Sequence, residues 1–172
     1  MKRTIVLFGL LACFAIGVSA QSIIGTWLSQ PVSVEDDMEA RLEFTFNKNK
    51  TLLLKMNFTM DDHDVIEIKC HFAINGTYDN MVGDAVPFKL GKDDIDFAFD
   101  KLELKGEMAG MSNTEMAESI KKLFKQQFEE NKDEIAEGYP EEGELIISDI
   151  TSTSMTIKMP NQDEVLKMTR VK

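Results

Sequence analysis

The feature that most constrains this chain is a period of two in its apolar residues. From Met38 to Phe46 the even positions (Met38, Ala40, Leu42, Phe44, Phe46) are apolar and the odd positions (Glu39, Arg41, Glu43, Thr45) are polar. Thr51 to Met60 repeats the pattern: Leu52, Leu54, Met56, Phe58 and Met60 point one way, and Thr51, Lys55, Asn57 and Thr59 the other. Successive strand side chains leave on opposite faces, so each run is a ribbon with one greasy and one wet side. Asn47-Lys48-Asn49-Lys50 joins the two as a hairpin turn, since asparagine tolerates left-handed backbone. After the Asp61-Asp62-His63-Asp64 turn, Ile66, Ile68, Cys70, Phe72 and Ile74 alternate with Glu67, Lys69, His71 and Asn75. Asn75-Gly76 is placed to bend or bulge this strand, which reaches Tyr78. Val86 to Leu90 reads as a short strand and Gly91-Lys92-Asp93-Asp94 as a turn. Ile95, Phe97 and Phe99 then continue the inward face, extended by Leu102 and Leu104.

The period then changes. Ser112-Asn113-Thr114-Glu115 is a capping box, in which hydroxyl and carboxylate each satisfy an orphan N–H of the other. Met116, Ile120, Leu123, Phe124 and Phe128 follow at helical spacing. Gly138 and Pro140 end the helix, which spans about Asn113 to about Glu137. Its single apolar stripe is expected to lie on an open end or flank of the sheet. Three strands finish the chain: Glu144 to Ile150; Thr153 to Met159, with Met155, Ile157 and Met159 on one face; and, after the Pro160-Asn161-Gln162-Asp163 turn, Glu164 to Val171, with Leu166, Met168 and Arg170 on one face. At the other extremity, Ile23, Gly25 and the only tryptophan, Trp27, share a face of the opening strand. Ser29-Gln30-Pro31 breaks that strand, and Val32 to Asp37 reads as an acidic connection. About eight or nine two-faced strands at this spacing suit an all-β barrel or sandwich. We expect an antiparallel up-and-down barrel closed by pairing of the last strand with the first, with one amphipathic helix inserted before the final three strands. With 172 residues, 43% of them hydrophobic, the chain can bury one sizeable core.

The first twenty residues read as a secretory signal rather than as part of the fold. Lys2 and Arg3 form a positive head, Thr4 to Gly17 is uncharged and apolar, and Val18-Ser19-Ala20 supplies small cleavage residues. The apolar run is too short to span a bilayer, so no transmembrane segment is expected in the domain over residues 21–172. Secretion to the periplasm or the exterior follows. Leu10-Leu11-Ala12-Cys13 offers a competing lipoprotein site, but cleavage there would leave apolar Phe14 to Ile16 on the mature chain. The net charge of −11 becomes more negative still without Lys2 and Arg3, which argues against nucleic acid and anionic membranes as partners. Cys70 is then the one remaining cysteine, so no internal disulfide is expected.

Gly25-Thr26-Trp27 in the first strand and Met168-Thr169-Arg170 in the last resemble the lipocalin-like calycins. In that superfamily a Gly-x-Trp near the N-terminus packs under an arginine of the closing strand, and the two plug one end of a barrel. The resemblance implies that Gly25, Trp27 and Arg170 close this barrel, with Arg170 as cationic cover. The chain departs from lipocalins in placing its helix before the last three strands and in lacking the usual disulfide. Intracellular fatty-acid-binding barrels carry a helical pair after the first strand, also not seen here. Secreted bacterial lipocalin-like domains resemble it more.

The expected interior comprises Leu54, Met56, Phe58, Ile68, Cys70, Phe72, Phe97, Phe99, Met155, Ile157 and Met168, together with Leu52, Ile66 and Ile74, and it carries no charge. A barrel of this size is either filled by its own side chains or holds one small ligand, and composition does not separate the two. Methionines would adapt such a pocket to an apolar cargo. The helix stripe reads as a lid or, better, as a permanent staple. Asp61, Asp62, His63 and Asp64 lack the spacing and glycine of a calcium loop and read as an acidic hairpin tip. Cys70 reads as a small buried residue, with His71 on the opposite face, so no Cys–His pair is expected. Tyr139 among Glu137, Glu141, Glu142 and Glu144 reads as a solvated charge run. Three glycosylation sequons, at Asn49, Asn57 and Asn75, read as chance. No catalytic residue, metal site or cofactor is expected. The expected function is non-catalytic binding of a small hydrophobic ligand in the interior. The alternative is an envelope protein with a filled barrel that docks another protein through its outer surface.

Overall fold

A computed structural model describes residues 22–35, 37–62, 64–105 and 112–171. The expected signal over residues 1–20, Cys13 and His63 lie outside the described residues. Among the described residues, nine strands form one antiparallel sheet: β1 (Gly25–Ser29), β2 (Val32–Glu35), β3 (Met38–Phe46), β4 (Thr51–Asp62), β5 (Ile66–Tyr78), β6 (Ala85–Leu104), β7 (Glu142–Ser148), β8 (Ser154–Lys158) and β9 (Val165–Arg170). Helix α1 (Asn113–Glu137) lies between β6 and β7, ahead of the last three strands. Neighbouring strands in the sheet follow chain order from β2 round to β9, and β9 pairs with β1. β1 also pairs with β3, through Trp27 and Phe44, so the pairings return to their start in a near-closed ring.

Val32 to Glu35, expected as a connection, is an edge strand: Val32 pairs with Ala40 and Ser33 with Glu39. Pro31 ends β1, but the remaining edge of β3 is still unpaired, and the chain returns to it. The expected turn at Gly91-Lys92-Asp93-Asp94 is also not a turn. β6 runs through it for 20 residues. Opposite it, Ile74 pairs with Ile95 and Gly76 with Leu90, so the four residues sit against Asn75 alone as an outpocket. Because β5 continues without a break, the partner strand keeps its direction and sheds the extra length sideways. The irregularity expected at Asn75-Gly76 is present at this register shift.

Strand lengths are unequal. β5 has 13 residues, roughly 43 Å at about 3.3 Å per residue, whereas β8 has 5. The far halves of β4, β5 and β6 therefore overhang the ring and need another cover. Helix α1 supplies it. Ser112 caps it by accepting from the Glu115 N–H, while the Glu115 carboxylate reaches back to the Ser112 N–H. Phe128 then stacks on Phe72 and Phe97, with centroids 5.4 and 5.5 Å away, and Phe124 meets Phe99 edge-on at 5.7 Å. Leu123, expected in the stripe, is instead 56% exposed. One residue is about 100° of helix rotation, which carries Leu123 off the line through Ile120, Phe124 and Phe128.

The buried side chains form two clusters. The larger fills the ring: Trp27, Phe44, Leu54, Ile95, Ile147, Met155, Ile157 and Met168 are all at or below 2% exposure. The smaller lies under α1, where Ile66, Ile68 and Cys70 pack with Phe58, Phe99, Ile120 and Phe124. Phe97 touches both.

At Gly76 the backbone of β6 lies close against β5. A Cβ there would lie 2.4 Å from the Lys89 carbonyl oxygen and 3.2 Å from Leu90 Cα, both backbone. Gly76→Ala should therefore destabilise the fold by about 1–3 kcal/mol, the usual cost of overpacking. Urea unfolding checks it, and an unchanged midpoint contradicts this close approach.

Candidate functional site

One end of the ring is sealed. Trp27 is 0% exposed and donates its indole N–H to the Ile23 carbonyl at 2.7 Å. Arg170, opposite Trp27 in the β1–β9 register, lies over the indole with its guanidinium carbon 4.3 Å from the ring centroid. Its two terminal nitrogens donate to the Ile24 and Ser22 carbonyls at 3.2 and 2.6 Å. Gly25 takes φ of +133°, a backbone that side chains rarely adopt, and a Cβ there would meet Arg170 Nη1 at 3.4 Å. Gly25, Trp27 and Arg170 are thus one packed unit. Beside it, Phe46 meets Tyr78 edge-on at 5.2 Å, and the Tyr78 hydroxyl donates to the Asn47 carbonyl at 2.6 Å.

The other end is open. A cleft of about 620 Å³ lies between the C-terminal end of α1, the β8–β9 turn and the mouth of the ring. Leu42, Met56 and Met159 give it an apolar floor, with Pro140, Pro160 and Tyr139 beside them; Lys92, Glu137, Asn161 and Gln162 also line it. The cleft gathers β3, β4, the β6 outpocket, the helix end and a distant turn. No local pattern in the sequence links these segments.

The residues expected to line one interior pocket are distributed differently. Leu54, Met155, Ile157 and Met168 belong to the packed ring core. Phe72 and Phe97 are roofed by Phe128. Phe58, Ile68, Cys70 and Phe99 pack under the helix. Of the expected lining, Met56 alone borders the cleft. Its partner there is Tyr139, whose hydroxyl donates to Met56 Sδ at 3.6 Å. Tyr139 is not part of a solvated charge run. Gly138 ends the helix with its N–H turned back to the Glu134 and Ile135 carbonyls, and the chain that follows drops Tyr139 onto the core. A lone aromatic between the helix-ending Gly138 and Pro140 was the available signal.

Cys70 is buried, and burial, helped by the nearby Asp100 carboxylate, pushes its thiol up to about 11. His71, on the outer face, meets Asp100 with Nδ1 to Oδ2 at 2.8 Å. Asp61 faces Lys105 at 2.5 Å, and Asp62 accepts from the Asp64 N–H at 3.3 Å. Among the described residues, no helix is long and apolar enough to cross a membrane. No protein-family profile matches the sequence, and no curated protein matches it.

Arg170→Ala should cost about 1–3 kcal/mol, since it removes the cation–π contact and two charged hydrogen bonds together. Thermal melting and tryptophan emission check it; a parent-like melting curve and spectrum contradict the sealed end. A second expectation concerns alkali. Burial raises Cys70 from 9.0 to about 11 and Tyr139 from 10.0 to about 12. Both are neutral acids when buried, so the folded chain keeps protons that the unfolded chain releases first. Their contribution is therefore whole below pH 9.0 and is lost as pH rises towards about 12. Urea midpoints should fall across that window, and less steeply in Cys70→Ala/Tyr139→Phe. Equal slopes for parent and double variant contradict the assignment.

Proposed function

We propose that this chain is a secreted, non-catalytic, lipocalin-like barrel module that binds a small apolar ligand at the open mouth of the ring rather than in its filled interior. The observation that carries this reading is the cleft over Leu42, Met56 and Met159, at about 620 Å³. That volume lies within the range of about 300–1,000 Å³ common to small-ligand sites, and methionine thioethers adapt to varied apolar shapes. The Trp27–Arg170 stack supports the lipocalin-like part of the reading, because it covers the buried indole at one end of the ring with a guanidinium. Protonated, buried Cys70 supports the non-catalytic part, since the thiolate is the reactive form.

The uncharged probe N-phenyl-1-naphthylamine tests this. It should brighten on binding to the parent protein. Met56→Trp, which fills the cleft, should weaken binding about tenfold, or 1.4 kcal/mol, without lowering the melting temperature. No uptake by the parent rejects the reading; equal uptake by the variant moves the site elsewhere.

One observation favours a second reading, docking of another protein on the outer surface. β2 pairs only with β3 among the described strands, and Val32 and Val34 are 57% and 51% exposed. An extended segment of a partner would add there as a further antiparallel strand.

A further inference from the structure

The lining of the mouth cleft has a polar side that the apolar reading leaves unused. Lys92 stands on it, carried by the β6 outpocket, and Glu137 stands on it as the last residue of α1. Both border the same space, yet among the described residues neither is paired with the other or with any other side chain. Lys69, Lys89, Lys101, Lys105, Lys121 and Lys158 sit in ion pairs; Lys92 does not. The helix end adds to the negative side. Its last-turn carbonyls carry the negative end of the helix dipole, and the last turn contains no basic residue to answer it. Tyr139 adds a hydroxyl held only by a thioether, a weak acceptor that a better one would displace.

The floor is apolar and runs on beyond the cleft. From Met56 the inward face of β4 continues through Phe58 and Met60, both half-buried, along the overhang.

Building on the apolar-cleft reading, we infer that the ligand is a zwitterion with an apolar tail: its anionic group meets Lys92 and the Tyr139 hydroxyl, its cationic group meets Glu137 and the carbonyl end of α1, and its tail lies on Met56 and Met159. A purely anionic ligand would face Glu137 and the helix end. A purely cationic one would face Lys92. Only a head with both charges uses the whole rim.

Four single-chain amphiphiles with equal decyl tails test this by calorimetric titration below their micelle concentrations: N-decyl-N,N-dimethylglycine (zwitterion), undecanoate (anion), decyltrimethylammonium (cation) and decyl maltoside (neutral). The zwitterion should bind about tenfold more tightly than the other three. Lys92→Met should bring the cation level with it, and Glu137→Gln the anion. Both positions are on the rim, so the variants should fold as the parent does, which melting curves check. Four equal affinities overturn the head-group inference and leave the apolar cleft standing. A preference for anion or cation overturns it in favour of a single-charge site. If none of the four binds while the naphthylamine probe does, the inference alone fails; if the probe fails too, the apolar-cleft reading falls with it. Leucyl-leucine, titrated in parallel, separates a short peptide source of this chemistry from a lipid source.

Discussion

The contact between Arg170 and Trp27 is what lets the sheet hide its apolar face. Every long strand here is greasy on one side, and such a sheet must bury that side against something. The ring does so by bringing β9 and β3 to the two edges of β1, so the strands face their own kind across a common core. The first and last strands must then meet, and an indole capped by a guanidinium fixes where. The indole supplies area, the guanidinium covers its face, and two backbone carbonyls hold the guanidinium in place. Gly25 makes the arrangement possible, because its backbone angle is one that side chains rarely adopt.

Unequal strand lengths decide the rest. Where β1, β8 and β9 end, β4, β5 and β6 go on, and their inward faces lose the opposite wall. α1 replaces that wall with Phe124 and Phe128, and the phenylalanines of β4–β6 form an aromatic row beneath them. Phe97 ties the ring core to this second cluster. Leu42, Met56, Phe58 and Met60, on β3 and β4, stay half-buried. The concavity left at the mouth comes from this incomplete cover. It is a consequence of how the pieces meet, and it places the candidate site beside the packed interior.

Much of the fold was legible in the chain because strand and helix have different periods and the residues keep to them. The runs from Met38 and from Thr51 marked β3, β4 and their antiparallel pairing as a hairpin. The Ser112–Glu115 capping box marked the start of α1, and Gly138 its end. Asn75-Gly76 marked the place of an irregularity, which the neighbouring strand β6 carries. The misreadings share one cause. Gly91 to Asp94 has the composition of a turn, but an unbroken neighbouring strand overrode it. Val32 to Glu35 lacks a strong strand pattern, but an unfilled edge recruited it. Tyr139 sits among glutamates, but the end of the helix aimed it inward.

The sequence by itself determined the two-faced strands and the helix after Ser112, because each rests on local periodicity, whereas the stacking of Arg170 on Trp27 was implied by the resemblance of two short motifs and is seen in the tertiary structure. The tertiary structure alone decided whether the interior is full and where a cavity lies. Leu54, Met155 and Ile157 have the same character in a hollow shell as in a solid core, and only the distance between facing strands separates the two. The cleft joins Leu42, Lys92, Tyr139 and Met159 from four separate parts of the chain, and such a meeting has no signature in one dimension.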